Sequence, residues 1–84
     1  MKLTFCHDAG HGWLQVPIAM YELSGFKASR FSYIDNEHVY LEEDCDAEGF
    51  ERKIKTMNPD FVYTMATRDD GNRSLIRNLD RVTS

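Results

Sequence analysis

The chain has 84 residues, enough for one hydrophobic core and below the usual size of a two-domain protein, so residues 1–84 are read as a single small domain. A core this small is hard to hollow into a private pocket of roughly 300 to 1,000 Å³, unless two copies meet as a homodimer or the site is a shallow groove. The formal net charge of −4 argues against a protein that coats nucleic acid, because duplex binding draws on clustered Lys and Arg.

The charge is unevenly spread. Asp35, Glu37, Glu42, Glu43, Asp44, Asp46, Glu48 and Glu51 follow one another with no Lys or Arg between them, so this segment alone carries −8. The tail after Ala66 interleaves Arg68, Arg73, Arg77 and Arg81 with Asp69, Asp70 and Asp80 and is mildly basic. No apolar run is long enough to cross a bilayer, and Met1 to Cys6 lacks a basic region followed by a long apolar stretch. A cytoplasmic protein with no membrane partner is expected. Cys6 and Cys45 are too few for a disulfide scaffold and are expected as free thiols.

Lys2 to Cys6 alternates Leu3 and Phe5 with Lys2 and Thr4 and predicts a strand. His7 to Gly12 breaks it: Asp8 offers side-chain hydrogen bonds to a tight turn, and Gly10 and Gly12 offer positive-φ freedom. Trp13 to Val16 resumes an extended pattern, which makes the first pair a hairpin. Pro17 suits the first position of a helix, with Ile18, Tyr21 and Leu23 as its apolar stripe and Gly25 as a left-handed stop.

Phe31 to Ile34 and His38 to Glu42, joined through Asp35, Asn36 and Glu37, predict a second hairpin. Val39 and Leu41 should face the core and leave His38, Tyr40 and Glu42 on the other face. A helix over Asp46 to Met57 follows from the spacing of Phe50, Ile54 and Met57 and from the pairs Glu48 with Arg52 and Glu51 with Lys55. Asn58 and Pro59 end it. Phe61 to Ala66 is read as a last strand, Arg68 to Arg73 as a loop, Ser74 as the cap of a short helix through Leu79, and the final residues as frayed. The fold class is α+β: an antiparallel sheet of four to five strands with two helices packed on one face, in the order β-β-α-β-β-α-β.

Two segments concentrate chemistry. His7, Asp8, His11 and Trp13, with Cys6, gather imidazole, carboxylate and thiol groups of the kind that bind transition metals. The glycines make a loop rather than the helix on which histidines four apart usually converge, no Glu lies between them, and no distal ligand is evident beyond Asp44, Cys45 or Asp46. No metal, cofactor or catalytic residue is therefore assigned; the turn is read chiefly as a structural corner and secondarily as a recognition loop. Glu42, Glu43, Asp44 and Asp46 precede a helix, where one or two acids answer the macrodipole and cap. The remainder suggest an acidic surface for a basic partner.

The segments His7 to Pro17 and Tyr40 to Asp46, reading His-Asp-Ala-Gly-His-Gly-Trp-Leu-Gln-Val-Pro and Tyr-Leu-Glu-Glu-Asp-Cys-Asp, resemble a family of small uncharacterised proteins of bacteria and their phages. Tyr33, Phe50 and Arg73 to Arg77 fall where that pattern would continue. The resemblance implies no activity. It implies a context: a small protein of a phage or mobile element in the host cytoplasm, acting on host machinery.

The leading expectation is a non-enzymatic protein that binds another protein through Glu42, Glu43, Asp44 and Asp46, helped by His7, Asp8, His11 and Trp13. The rival is a metal-dependent or acid/base enzyme centred on His7, Asp8 and His11. A third reading, nucleic-acid binding through the C-terminal arginines, is disfavoured by the net charge.

Overall fold

The computed structural model describes residues 1–83. Alternation of period two produces strands β1 (Lys2–His7) and β2 (Gly12–Pro17), paired antiparallel with Cys6 opposite Trp13 and His7 opposite Gly12. Leu3, Leu14 and Val16 lie in one buried cluster, whereas Cys6 and Trp13 lie in a second on the opposite side of the sheet. The hairpin's glycines do not take positive φ, contrary to the sequence reading. Gly12 is required for another reason: a Cβ there would run into the Phe5 ring and come within 2.9 Å of Glu43 Oε2.

Pro17 closes β2 instead of opening the helix proper, and helix α1 (Ile18–Ser24) starts behind it. Its end is as expected, with Gly25 at φ 70° donating its N–H to the Glu22 carbonyl at 3.1 Å. Ile18, Met20 and Tyr21 pack on the core, but Leu23 points to solvent. Strands β3 (Tyr33–Ile34) and β4 (His38–Glu42) form the second hairpin, whose turn is tied by Asp35 Oδ1 accepting the N–H groups of Glu37 and His38. Phe31, expected in the strand, precedes it and is exposed.

Helix α2 (Ala47–Met57) buries Phe50 and Ile54 and shows the two expected ion pairs, Arg52 with Glu48 and Lys55 with Glu51, while Met57 faces solvent. Strand β5 (Thr64–Asp69) follows three residues later than expected, and Ser74 caps a short 3₁₀ turn, Leu75–Asn78, by accepting the Ile76 N–H. The chain beyond it is not frayed at Asp80–Arg81, which forms strand β6 against β3.

The sheet has six strands in the order β5-β1-β2-β4-β3-β6, one more than the upper expectation, and it is mixed. All pairings are antiparallel except β1 with β5. That exception follows from the helix. Strands β1 and β4 both oppose β2 and so run the same way, and a helix between β4 and β5 returns the chain to start again in that direction. Helices α1 and α2 cover one face, closing on Leu3, Leu14, Val16, Val39, Leu41, Phe50 and Ile54. The other face is covered too. The C-terminal segment lays Ile76 and Leu79 over Cys6, Trp13, Tyr33 and Tyr40, so Tyr40 faces away from the helices as predicted yet is buried.

Candidate ligand cleft

The two chemistry-bearing segments meet because β2 pairs with β4. Their register sets Trp13 opposite Glu42, and the Glu43 N–H donates to the Gly12 carbonyl at 3.0 Å. A cleft of about 310 Å³ opens where they join, lined by His11, Trp13, Phe31, Tyr33, Glu42, Asp44, Cys45, Arg77 and Arg81. Its floor is aromatic. Trp13 and Tyr33 meet edge to face with ring centroids 6.2 Å apart, and the guanidinium carbons of Arg77 and Arg81 stand 5.3 and 5.1 Å over those two rings.

Asp8 holds the cleft's shape from behind. Its Oδ1 accepts the backbone N–H groups of Gly10 and His11, both at 2.9 Å, while Oδ2 accepts the Ser74 N–H at 2.8 Å and both oxygens take the Arg77 guanidinium. The Arg77 guanidinium beside Asp8 holds the carboxyl far below the usual carboxylate range, against the opposing effect of burial. With every lone pair committed, Asp8 is neither a metal ligand nor a general base, and the enzyme reading centred on His7, Asp8 and His11 loses its carboxylate. His7 also leaves that grouping: its ring stacks with Phe5, and it does not line the cleft.

The acidic run divides in the same way. Asp46 sits at the N-cap of α2, but its side chain makes no cap bond. Oδ2 instead accepts the N–H and hydroxyl of Ser29 and the hydroxyl of Ser32 at 2.9, 2.8 and 2.5 Å, and the residue is 3% exposed. Glu42 is buried as well, with Oε2 accepting the N–H groups of Asp44 and Cys45 at 2.9 and 2.8 Å. Neither is an open docking charge: both are buried, Asp46 held by the Ser29 N–H and the Ser29 and Ser32 hydroxyls and Glu42 held through Oε2 by the backbone of the turn it opens. Glu43 and Asp44 remain exposed.

Of the residues singled out from the sequence, His11, Trp13, Glu42 and Asp44 converge in the cleft, whereas His7, Asp8, Glu43 and Asp46 do not line it. Trp13 is 2% exposed, and its Nε1 has no hydrogen-bond partner among the described residues. Phe31 and Tyr33 escaped the sequence reading as site residues, whereas Cys45 was weighed only as a distal metal ligand and Arg77 and Arg81 only as nucleic-acid contacts. The only advance signal was strand parity, which placed Tyr40 and Glu42 on the sheet face away from the core. Cys45 lies against the Glu42 carboxylate, which pushes its thiol pKa up; Cys6 is buried, and both are free thiols. The tail arginines are also engaged: Arg68 pairs with Asp70, Arg73 donates to Asn78, Arg77 binds Asp8, and Arg81 donates to the Arg30 carbonyl.

No helix among the described residues is long and apolar enough to cross a membrane. No protein-family model, curated protein or solved structure matches this chain.

Proposed function

We propose that this chain is a small non-enzymatic interaction protein that binds a segment of another protein in the cleft between the His11–Trp13 strand start and the Glu42–Asp44 turn. The observation that carries the reading is the Trp13–Glu42 register, which joins two distant segments into one concave surface. Phe31 supports it: 52% exposed beside a rigid aromatic floor, it is the kind of anchor that dominates protein interfaces. Exposed Glu43 and Asp44 border the same region and favour a partner segment with a basic residue. A volume of about 310 Å³ suits one or two inserted side chains rather than a large cofactor.

The resemblance to small bacterial and phage proteins supports a cytoplasmic setting and a host protein as the partner. Nucleic acid fits less well, since Arg68 and Arg77 are already neutralised by Asp70 and Asp8. The test is capture of partners from bacterial lysate by the wild-type chain and by Phe31→Ala and Glu43→Lys, two exposed positions whose substitution spares the core. A specific protein held by the wild type should be lost from both variants. Retention of every captured protein by both variants would remove the cleft as the binding surface.

A further inference from the structure

We propose that His11, Glu42 and Asp44 form a binding site for a divalent transition-metal ion of the zinc and cobalt class. One ligand atom from each of these residues lies within 4.8 Å of the other two, and they are the only such group of three among the described residues. His11 Nδ1 and Glu42 Oε1 are 3.6 Å apart. Donors around a tetrahedral zinc with bonds near 2.0–2.1 Å stand roughly 3.4 Å from one another, so this pair already has the required separation. Asp44 lies on an exposed turn and needs to close by about 1.4 Å at most, within reach of a rotamer change.

Glu42 supplies an independent reason. Its side chain is 8% exposed, and the two backbone N–H groups on Oε2 fix the carboxylate so that Oε1 points at His11 without an N–H or O–H donor of its own. Among the described residues no Lys or Arg pairs with Glu42 or with Asp44; of the two arginines in the cleft wall, Arg77 is paired with Asp8 and Arg81 donates to the Arg30 carbonyl. Two backbone N–H groups and the Cys45 thiol are neutral partners, so the buried carboxylate and the second one beside it have no cationic side chain other than the His11 imidazole to balance them, an arrangement that a bound cation would relieve. Hydrogen bonds to the far oxygen of a ligating carboxylate are the usual support of a metal site. The imidazole selects the class: calcium and magnesium prefer oxygen ligands alone, whereas one nitrogen and two oxygens suit zinc, cobalt and their neighbours. Three protein ligands leave a position open to water or to a side chain arriving in the cleft.

This site differs from the grouping of His7, Asp8 and His11, and it goes beyond the partner-binding reading without depending on it. The experiment uses untagged full-length protein titrated with Co²⁺, following cobalt visible absorption and the fluorescence of Trp13. Trp13 is the single tryptophan, and its ring centroid lies 6.2 Å from that of His11, so a paramagnetic ion on His11 should quench it. Saturable binding of one ion per chain, displaced by Zn²⁺ and not by Mg²⁺, is the expected result. His11→Ala and Asp44→Asn, both at exposed positions, should each weaken binding at least about tenfold, and His7→Ala should leave it unchanged. Absence of saturation in the wild type, or undiminished binding in His11→Ala, would overturn the proposal. Since neither metal variant is one of the capture variants, failure of one reading is distinguishable from failure of the other.

Discussion

Asp8 and Arg77 stand 69 positions apart and meet as a two-pronged pair, Arg77 Nε 2.6 Å from Asp8 Oδ2 and Nη2 2.9 Å from Oδ1. The pair fastens the first hairpin turn to the C-terminal segment that covers the second face of the sheet. Because Asp8 also takes three backbone N–H groups, one side chain organises the turn, the start of the 3₁₀ element and the arginine over Trp13.

The lowered Asp8 pKa makes that fastening pH-dependent, with a definite sign. The unfolded carboxyl titrates near about 3.9, so the ionised pair contributes fully above that value and its contribution fades as pH falls toward the lower folded value. Asp8→Asn should melt at a lower temperature than wild type at pH 7, and the gap should hold down to about pH 4 and then narrow as pH is taken on to 2. Thermal melts by circular dichroism across that range check this. A gap independent of pH would mean that the charge is not its source.

Tyr63 gives the opposite limb. Burial and the hydrogen bond its hydroxyl donates to Glu51 Oε2 push its pKa up to about 12. The folded chain therefore keeps a proton that the unfolded chain releases near about 10; the stabilisation is complete below that pH and is lost as pH rises through the folded value. Ultraviolet titration of tyrosinate should show a late step in wild type that disappears in Tyr63→Phe and moves to lower pH in Glu51→Gln.

Gly12 is needed for space and Gly25 for backbone freedom, and the two demands are separable. Gly12→Ala should cost about 1–3 kcal/mol through the collision with Phe5, and the cost should shrink in a Phe5→Leu background. Gly25→Ala meets no atom within 4 Å and should cost about 1 kcal/mol through its φ of 70°, whatever residue 5 is. Urea denaturation of the double-mutant cycle reads the difference. Equal coupling of Phe5 to both glycines would refute the distinction.

Phe50 and Leu75 bracket the core's contribution. Phe50 is fully buried between α2 and the sheet, so Phe50→Ala should destabilise by about 3–5 kcal/mol. Leu75 is 78% exposed on the 3₁₀ turn, and Leu75→Ala should stay within about 0.5 kcal/mol. Chemical denaturation of the two variants gives the comparison directly.

What lay legible in the sequence was what neighbours along the chain decide. The alternation in Lys2 to Cys6 and His38 to Glu42, the stop at Gly25, the spacing of Phe50 and Ile54 and the cap at Ser74 each depend on side chains a few residues apart, and all appear in the structure. The α+β class followed from their order. The uses of the polar residues were not legible, because they depend on partners far along the chain. In a one-dimensional reading Glu42 and Asp46 look like docking charges or helix caps, and Asp8 looks like the acceptor of its own turn. Only the fold carries Ser29 and Ser32 to Asp46, and Ser74 and Arg77 to Asp8, turning supposed docking charges into buried acceptors.

The turn from His7 to Trp13 shows the same division. Its glycines and Asp8 mark a corner from sequence alone, since tight turns need small residues and local acceptors. The strand pairing decided which of its groups face outward together: β2 against β4 sets Trp13 beside Glu42 and brings His11 to the buried carboxylate, while His7 is left with Phe5 on another side. Register is a property of two strands at once, and the intervening helix and hairpin, not the spacing within either segment, bring those strands into contact.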